Sequence, residues 1–187
     1  MTGQIPDSFK YDGLEFSLVG MKGDGLYTPH DFRLTPRMAS TACWRGYIMT
    51  YDCVDGQLVL SSMSIRTYDS PSEINGIEPK TDTEKYRMFT HHYENLNLKT
   101  RFTGSMLLGR DFIQGMYVHM GFQRPIAFRT VLEIHVQDGD IICVNDLSEK
   151  MEELRNQNRE RDAEPSSLAQ KDVYEWIEQT FSLDYDL

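Results

Sequence analysis

Alternation of apolar and polar residues dominates the first three quarters of the chain, and a period of two is typical of strands. The clearest run is 44–54, which is rich in aromatic and β-branched residues. It is followed by Asp55-Gly56 and a second apolar run at 57–60. Asp-Gly between two such runs favours a type I′ turn, because that turn needs a positive φ at both central positions. The pattern predicts a β-hairpin that turns at Asp55 and Gly56.

The same signal predicts a second hairpin, in which an alternating run at 128–136 reaches Asp138-Gly139 and returns at 141–144. When the two hairpins are aligned on their turns, their apolar positions coincide. Each is also preceded by an Asp-Phe pair, Asp31-Phe32 or Asp111-Phe112. Two interpretations stay open: the chain contains two pseudo-repeated β halves, or any two Asp-Gly hairpins align this well.

Shorter apolar runs predict further strands at Leu14–Val19, Tyr86–Tyr93, Leu96–Phe102, Met106–Leu108 and Tyr117–Met120, with a polar turn at Glu94 and Asn95. Two segments rich in Gly, Pro, Ser and Asn, 21–41 and 67–85, predict long surface loops. Turn signals at this spacing predict a mainly β fold, an antiparallel barrel or strongly bent meander of about seven to ten strands.

The periodicity becomes helical after residue 146. Asp146-Leu147-Ser148-Glu149 has the spacing of a capping box and predicts a helix over 149–161. Beyond Pro165, an apolar stripe with i, i+3, i+4, i+8 spacing predicts a second helix, and it consists of Val173, Trp176, Ile177 and Phe181. We therefore expect a β-rich, barrel-like domain over 1–146 and a C-terminal helical extension over 147–187. That extension would pack on the same domain and cover a sheet edge or a barrel end.

Composition places the chain among globular proteins, because 40% of its 187 residues are hydrophobic and 11% are aromatic. The net charge is −10, and no basic run is longer than a pair. Nucleic-acid binders usually present a basic face, so we expect no nucleic-acid partner. An acidic surface suits a cationic partner, although net charge serves solubility first.

The cellular location is predicted from cysteine usage and hydropathy. Cys43, Cys53 and Cys143 are too few, and odd in number, for a disulfide framework. The N-terminal ten residues are polar and unlike a signal peptide, and no apolar run approaches the roughly 20 residues that span a bilayer. These features predict a cytoplasmic protein without a membrane partner.

Catalytic, metal and cofactor motifs are not found in the sequence. The five histidines lack the H-E-x-x-H spacing, and the adjacent His91 and His92 would point to opposite faces of a strand. His135 and Glu133 share one strand face, as a solvated pair would. Gly20–Gly25 lacks the order of a phosphate-binding loop. We expect no metal, no cofactor and no catalytic residue.

Two clusters are candidates for binding a ligand or a partner. The first opens the long strand and consists of Trp44, Arg45 and Tyr47. It suits one wall of a binding site, because an Arg guanidinium stacks on aromatic rings and forms paired hydrogen bonds with carboxylates. It equally suits a packed cluster that closes one end of a barrel, which we call the plug interpretation. The second combines side chains that line polar pockets with glycine bends that also suit a packed corner. It consists of Arg110, Asp111, Tyr117, His119 and Arg124.

Three functions remain open on this sequence. The first is a non-enzymatic interaction protein, such as an inhibitor or immunity-type protein for a cationic protein, whose encounter opposite charge would speed. The second is a β-barrel carrier of a small apolar or amphipathic ligand, lined by Tyr47, Met49, Tyr51, Tyr117 and His119. The third is a hydrolase or isomerase that uses His119, Asp111 and either Arg110 or Arg124. The sequence predicts no particular oligomeric state.

Overall fold

The structure is a computed structural model that describes residues 2–70, 72–81, 87–157, 170–172, 174–175 and 182–185. Within these ranges the strands are β1 (Ser8–Tyr11), β2 (Leu14–Asp24), β3 (Tyr47–Val54), β4 (Gln57–Ile65), β5 (Lys80–Thr81), β6 (His91–Lys99), β7 (Thr103–Phe112), β8 (Phe128–Gln137) and β9 (Asp140–Asp146). A helix, α1 (Ser148–Gln157), follows, and single 3-10 turns span Pro29–Phe32, Gln114–Met116 and Pro125–Ala127.

Seven of these strands form a closed barrel in the order β3-β1-β2-β7-β8-β9-β4. The pairing of the last strand, β4, with the first, β3, completes the circle. Strands β6 and β5 extend the sheet from β4. The prediction of a mainly β barrel followed by a C-terminal helix is confirmed. The barrel is mixed rather than wholly antiparallel, because the β1–β2 hairpin places β1 beside β3 in parallel orientation.

Both predicted Asp-Gly hairpins are confirmed, as β3–β4 and β8–β9. The turn residues have positive φ angles, 50° and 76° at Asp55 and Gly56, and 48° and 81° at Asp138 and Gly139. The barrel closes where these two turns meet: the N–H of Ile141 donates to the Gly56 carbonyl at 2.8 Å. The structure does not test whether the two halves are repeats.

Several strands are longer than their patterns predict. The predicted loop at 21–41 was wrong over its first residues, because β2 continues to Asp24. There Gly23 faces Gly104 directly, and a Cβ on either would lie 2.2 or 2.0 Å from a carbonyl oxygen of the opposite strand. Glycine permits a close approach of two strands here instead of ending one. Similarly, β7 runs through Gly109 without a break.

Strand β6 replaces two predicted strands. It runs from His91 to Lys99 through the predicted turn, and the bend is absorbed inside the strand by Asn95 and Asn97, at φ 59° and 50°. Tyr86, where the first of those strands was predicted to begin, lies outside the described residues. The predicted strand 117–120 was wrong, because these residues belong to a loop after the 3-10 turn at Gln114–Met116.

Side chains fill the barrel interior. Its largest fully buried members, each below 2% exposure, include Phe9, Met49, Tyr51, Leu58, Leu60, Met63, Ile65, Tyr93, Leu96, Phe102 and Met106. The rings of Phe9 and Tyr51 stack with centroids 4.9 Å apart. Burying a side chain of this size contributes roughly 1.5–3 kcal/mol, so the interior is the main source of stability.

A second apolar cluster covers the outer face of β2, β7 and β8. Helix α1 contributes Met151, which is 1% exposed, to the cluster that contains Val19, Leu107 and Val131. The guanidinium of Arg155 fastens the helix by donating to the Phe128 carbonyl at 2.9 Å. Helix α1 therefore packs on the barrel of its own chain.

The C-terminal residues 182–185 dock on the same outer face. The N–H of Met21 donates to the Leu183 carbonyl at 2.7 Å. The hydroxyl of Tyr185 donates to Glu133 Oε1 at 3.1 Å and is hydrogen-bonded to the Ser105 hydroxyl at 2.7 Å. Residues 170–172 and 174–175 are helical, within the second predicted helix, but its apolar stripe at Val173, Trp176, Ile177 and Phe181 lies outside the described residues. In the described part of the chain, no helix has the length and apolarity to cross a membrane.

Replacing Asp146 with alanine is expected to lower the free energy of unfolding by about 1 kcal/mol at pH 7, because the Ser148 N–H loses its acceptor at the start of α1. The predicted acceptor is correct, but its partner is Ser148 rather than Glu149. Hydrogen bonds from the Ser148 hydroxyl and N–H lower the pKa of Asp146. The stabilisation is therefore present above the unfolded-state pKa of about 3.9 and is lost as the pH falls through the lower folded-state pKa.

Urea denaturation of wild type and Asp146→Ala between pH 7 and pH 3 measures this difference. Asp24→Ala removes an exposed carboxylate at the end of β2 and should leave the free energy of unfolding nearly unchanged at pH 7. A difference between wild type and Asp146→Ala that does not shrink as the pH falls would refute the assignment.

Candidate functional site

The first predicted cluster divides between the barrel core and the surface. Trp44 and Arg45 lie in the turn before β3 rather than in the strand, and Trp44 is 43% exposed. The guanidinium of Arg45 forms a two-pronged ion pair with the carboxylate of Asp7, at 2.8 and 2.7 Å. Asp7 is 7% exposed and also accepts from the Met49 N–H at 2.6 Å. This geometry favours the plug interpretation for Arg45.

The environment of Arg45 maintains its charge. Burial acts against the charged form, but the Asp7 carboxylate outweighs it, so that the pKa of the guanidinium is raised. The guanidinium carbon lies 4.8 Å from the ring centre of Tyr47, so the aromatic partner is Tyr47 and not Trp44. Burial raises the pKa of Tyr47 although Arg45 acts in the opposite direction. The three groups form a closed, neutralised unit at one end of the barrel.

The second predicted cluster is spread along the end of β7 and the loop that follows it. Arg110 Nε and Asp111 Oδ1 are 3.9 Å apart, with both side chains well exposed. The rings of Tyr117 and His119 meet edge to face with centroids 5.0 Å apart. Arg124 comes directly before the 3-10 turn at Pro125–Ala127.

These residues do not form an acid–base pair. In the described part of the chain, no hydrogen bond or ion pair joins His119 to Asp111; Asp111 instead contacts Arg110 and Thr130, the latter at 3.5 Å. The loop is held by its own amide, since Gln123 bonds both the N–H and the carbonyl of Val118, at 3.0 and 2.9 Å. The arrangement is that of a surface loop whose conformation is stabilised by the Gln123 side chain.

Residues 3–4 of the N-terminal segment connect the first predicted cluster with the second, and the sequence patterns gave no sign that the two clusters are neighbours. The N–H of Gly3 donates to the Tyr117 hydroxyl at 3.1 Å, and the N–H of Gln4 donates to the Gly121 carbonyl at 2.7 Å. On its other side, the Gln4 side-chain oxygen accepts from the Trp44 N–H at 3.1 Å. Trp44 and Tyr117 therefore lie on either side of residues 3–4.

The predicted carrier lining does not surround one cavity. Met49 and Tyr51 are fully buried in the packed interior, and the Tyr51 hydroxyl donates to the Tyr27 carbonyl at 3.1 Å. Tyr117 and His119 are exposed in the loop after β7. A surface depression of about 340 Å³ lies elsewhere, and it is lined by Tyr27, Phe32, Glu73, Ile74, Asn75 and Leu98.

A polar cluster on the outer face of β8 and β9 involves the docked C-terminal residues. His135 Nε2 is 3.2 Å from Glu133 Oε2, and Asn145 contacts both side chains. Burial acts to raise the pKa of Glu133, but hydrogen bonds from Asn145 and Tyr185 outweigh it and lower that pKa. The described residues contain no group of His, Cys, Asp or Glu arranged to hold a metal ion.

The barrel also has an acidic end, which sequence analysis missed and which we define as Asp12, Glu15, Asp52 and Asp55. The parallel pairing of β1 with β3 sets Lys10 opposite Asp52, and the β1–β2 hairpin sets it opposite Glu15. Lys10 thus lies between two of the four carboxylates, and these five groups together have an excess of three negative charges. The chain shows Asp12-Gly13 as a possible turn signal, but the pairing that assembles the four is between distant segments.

Two exposed apolar side chains border the acidic end. Leu14 is 42% exposed and Val54 is 46% exposed, each one or two residues from a turn. Both turns are tight, with φ angles of 50° and 71° at Asp12 and Gly13, which resemble those at Asp55 and Gly56. Charge and apolar area are therefore presented on short, well-defined hairpins.

Comparison with known proteins gives no relative from which a function could be carried over: no family model, no curated protein and no solved structure matches this chain. The functional assignment depends on the geometry of the chain itself.

Proposed function

We propose that this chain is a non-enzymatic interaction protein that binds a cationic protein through its acidic end. The observation that supports this most directly is the grouping of Asp12, Glu15, Asp52 and Asp55 at one end of the barrel, where Lys10 lies opposite Glu15 and Asp52, beside exposed apolar side chains. Carboxylates concentrated on one surface attract a basic partner and speed its encounter. An inhibitor or immunity-type protein of the cytoplasm would act in this way.

The apolar contribution comes from Leu14 and Val54. Interfaces usually combine a desolvated apolar centre with a polar rim, and charge alone gives encounter rate and specificity more than affinity. The tight turns at Asp12-Gly13 and Asp55-Gly56 reduce the ordering needed on binding, because their backbone conformation is already set.

A small-molecule carrier is the second candidate, supported by the depression of about 340 Å³ between Tyr27 and Leu98. Its volume is at the low end of the roughly 300–1,000 Å³ of small-molecule sites. The packed barrel interior leaves this depression outside the barrel, so we rank the carrier below the interaction protein.

Reversing two charges at the acidic end is expected to abolish partner binding. In Glu15→Lys/Asp52→Lys, both substitutions lie on strands flanking Lys10, so the row of charges across β3, β1 and β2 becomes basic. Tagged wild type and variant are used to recover proteins from the native cells at low and moderate salt, and the recovered proteins are identified by mass spectrometry. We expect a basic protein with wild type, at least about tenfold less with the variant, and less at higher salt.

The matched control is Glu152→Lys/Glu153→Lys, which makes the same change in net charge on exposed positions of α1. It should retain the partner within about threefold, since its charges lie away from the acidic end. Equal losses in both variants would show that only net charge matters, and recovery of acidic proteins alone would refute a cationic partner.

A further inference from the structure

Strand β9 extends beyond the point at which the barrel closes. On one side it pairs with β8 along its length. On its other side it pairs with β4 through one residue pair, Gln57 with Asp140. The Ile141 N–H adds its bond to the Gly56 carbonyl. Because the two strands are antiparallel and β4 starts at Gln57, the rest of β9 runs past the turn that precedes β4.

The outer edge of β9 beyond Ile141 is open. In the described part of the chain no strand pairs with this edge, and no residue from 142 to 146 makes a backbone hydrogen bond on that side. A strand with a partner on one side only leaves the N–H and carbonyl groups of alternate residues unpaired on the other. Cys143–Asp146 pair with β8 without a register shift, so they present an uninterrupted edge.

This edge has an apolar centre and little protection. Ile142 is 63% exposed, Cys143 beside it is also exposed, and Val144 follows. Edge strands are commonly protected by lysine, by proline or by a covering helix, because an open edge pairs readily with other chains. Strand β9 contains neither lysine nor proline, and α1 packs through Met151 on the outer face of β8 instead. Such an edge suits the addition of a strand from a partner.

Carboxylates flank the apolar centre. Continuing the register between β4 and β9 by two residues brings Ile142 beside Asp55 of the acidic end, and Asp146 lies at the other end of the strand. Strand β9 contains no cationic residue, and Lys99, which reaches it, is engaged by Asp140 at 2.9 Å. Opposite charges on neighbouring strands stabilise their pairing, so a strand with basic residues on either side of an apolar centre complements this edge.

A second copy of the chain complements the edge poorly. Two antiparallel β9 strands centred on Cys143 would set Asp140 of one copy opposite Asp146 of the other, at both ends of the pairing. Like charges directly opposite each other destabilise paired strands. A foreign strand with basic residues avoids this repulsion.

We propose that the open edge of β9 binds an extended segment of the cationic partner by strand addition. The identity of that partner rests on the proposed function, whereas the open edge is a feature of the chain itself. Main-chain hydrogen bonds to β9 supply affinity, and the carboxylates of Asp55 and Asp146 select a segment with basic residues around an apolar centre. The acidic end and the open edge form one continuous surface, because Ile141 is bonded to Gly56 in the turn that contains Asp55.

Fluorescence anisotropy with the full chain tests strand addition. The probe is a labelled peptide of alternating valine and threonine with two lysines at each end. Its matched control has the same side chains, with every central amide N-methylated. We expect the N-methylated peptide to bind at least about tenfold more weakly, because it has lost the donors that pair with a strand edge. No binding of the first peptide, or equal binding of the two, overturns the proposal.

Ile142→Lys places a charge at the centre of the open edge and should weaken binding of the unmodified peptide by about tenfold or more. The control variant is Met38→Lys, which makes the same charge change at a side chain of equal exposure, 63%. Met38 follows Arg37, which is bonded to Arg66 beyond the far end of β4, so this variant should bind the peptide within about threefold of wild type. Circular dichroism checks that both variants are folded. Equal weakening by the two substitutions overturns the proposal.

Recovery of proteins from the native cells separates strand addition from the proposed function. We expect Ile142→Lys to recover at least about tenfold less of the basic protein than wild type or Met38→Lys. Equal recovery by wild type and Ile142→Lys would leave the proposed function standing and overturn strand addition. Recovery of no basic protein by wild type would overturn both, even if the peptide binds. A dimer of this chain that Ile142→Lys dissociates would overturn the choice of a foreign strand.

Discussion

Replacing Asp7 with alanine is expected to lower the free energy of unfolding by about 3–5 kcal/mol, the usual loss when one member of a buried ion pair is removed. Asp7 is 7% exposed and receives both prongs of the Arg45 guanidinium as well as the Met49 N–H. Without the carboxylate, the Arg45 guanidinium retains only the Ile5 carbonyl at 3.5 Å, and the Met49 N–H loses its acceptor. Both effects raise the free energy of the folded state and leave that of the unfolded state unchanged.

Urea denaturation of wild type, Asp7→Ala, Arg45→Met and the double variant isolates the pair, because the double-mutant cycle gives its coupling energy. Removing both charges is expected to be milder than removing Asp7 alone, since no unpaired charge is left. Glu94→Ala serves as a control for ion pairing at the surface, where Lys80 and Glu94 are 70% and 52% exposed, and it should change stability by less than about 1 kcal/mol. If Asp7→Ala were as mild as Glu94→Ala, the plug interpretation would be wrong.

Gly46→Ala is expected to destabilise the chain by about 3 kcal/mol or more, for two separate reasons. The φ of Gly46 is 78°, a left-handed conformation that costs about 1–2 kcal/mol for a residue with a Cβ. The new Cβ would also lie 2.0 Å from the Arg37 carbonyl oxygen and 2.6 Å from its carbon, so the backbone itself must move. That movement would separate Gly46 from Arg37.

Gly76→Ala separates the two reasons, because Gly76 has nearly the same φ, 75°, and no atom within 4 Å of a Cβ position. This control should lose only the conformational contribution of about 1–2 kcal/mol. Thermal or urea denaturation of the two variants measures the difference, which we assign to the close approach of Gly46 to Arg37. Equal destabilisation by the two substitutions would show that this approach relaxes at no cost.

Turn chemistry explains which parts of the fold were predictable from sequence. Asp55-Gly56 and Asp138-Gly139 combine a local conformational requirement with flanking alternation, so both hairpins follow from a few neighbouring residues. The register shift within each hairpin, at Thr50/Tyr51 and at His135/Val136, was not predicted. Strand lengths were less predictable. Gly23 was interpreted as a breaker, and only its direct pairing with Gly104 across β2 and β7 shows why glycine suits a strand at that point.

The candidate surfaces depend on contacts between distant segments, which a single sequence does not reveal. Arg45 and Tyr47 were singled out from their residue types, yet the partner that determines the role of Arg45 is Asp7, 38 positions earlier. Gln4 joins Trp44 to Gly121 without any pattern that marks it. The acidic end likewise forms because β1 pairs in parallel with β3, and parallel pairing has no signature in either short run.

Native mass spectrometry of the full chain purified gently from its own cells tests most directly whether it is an interaction protein for a cationic partner. We expect a species heavier than the 21.7 kDa chain, whose excess mass is removed by denaturation and belongs to a basic polypeptide. Raising the salt before the measurement should reduce that species, because opposite charge assists the association. A bare chain at every salt concentration, or an excess that belongs to a small molecule, would show that the proposed function is wrong.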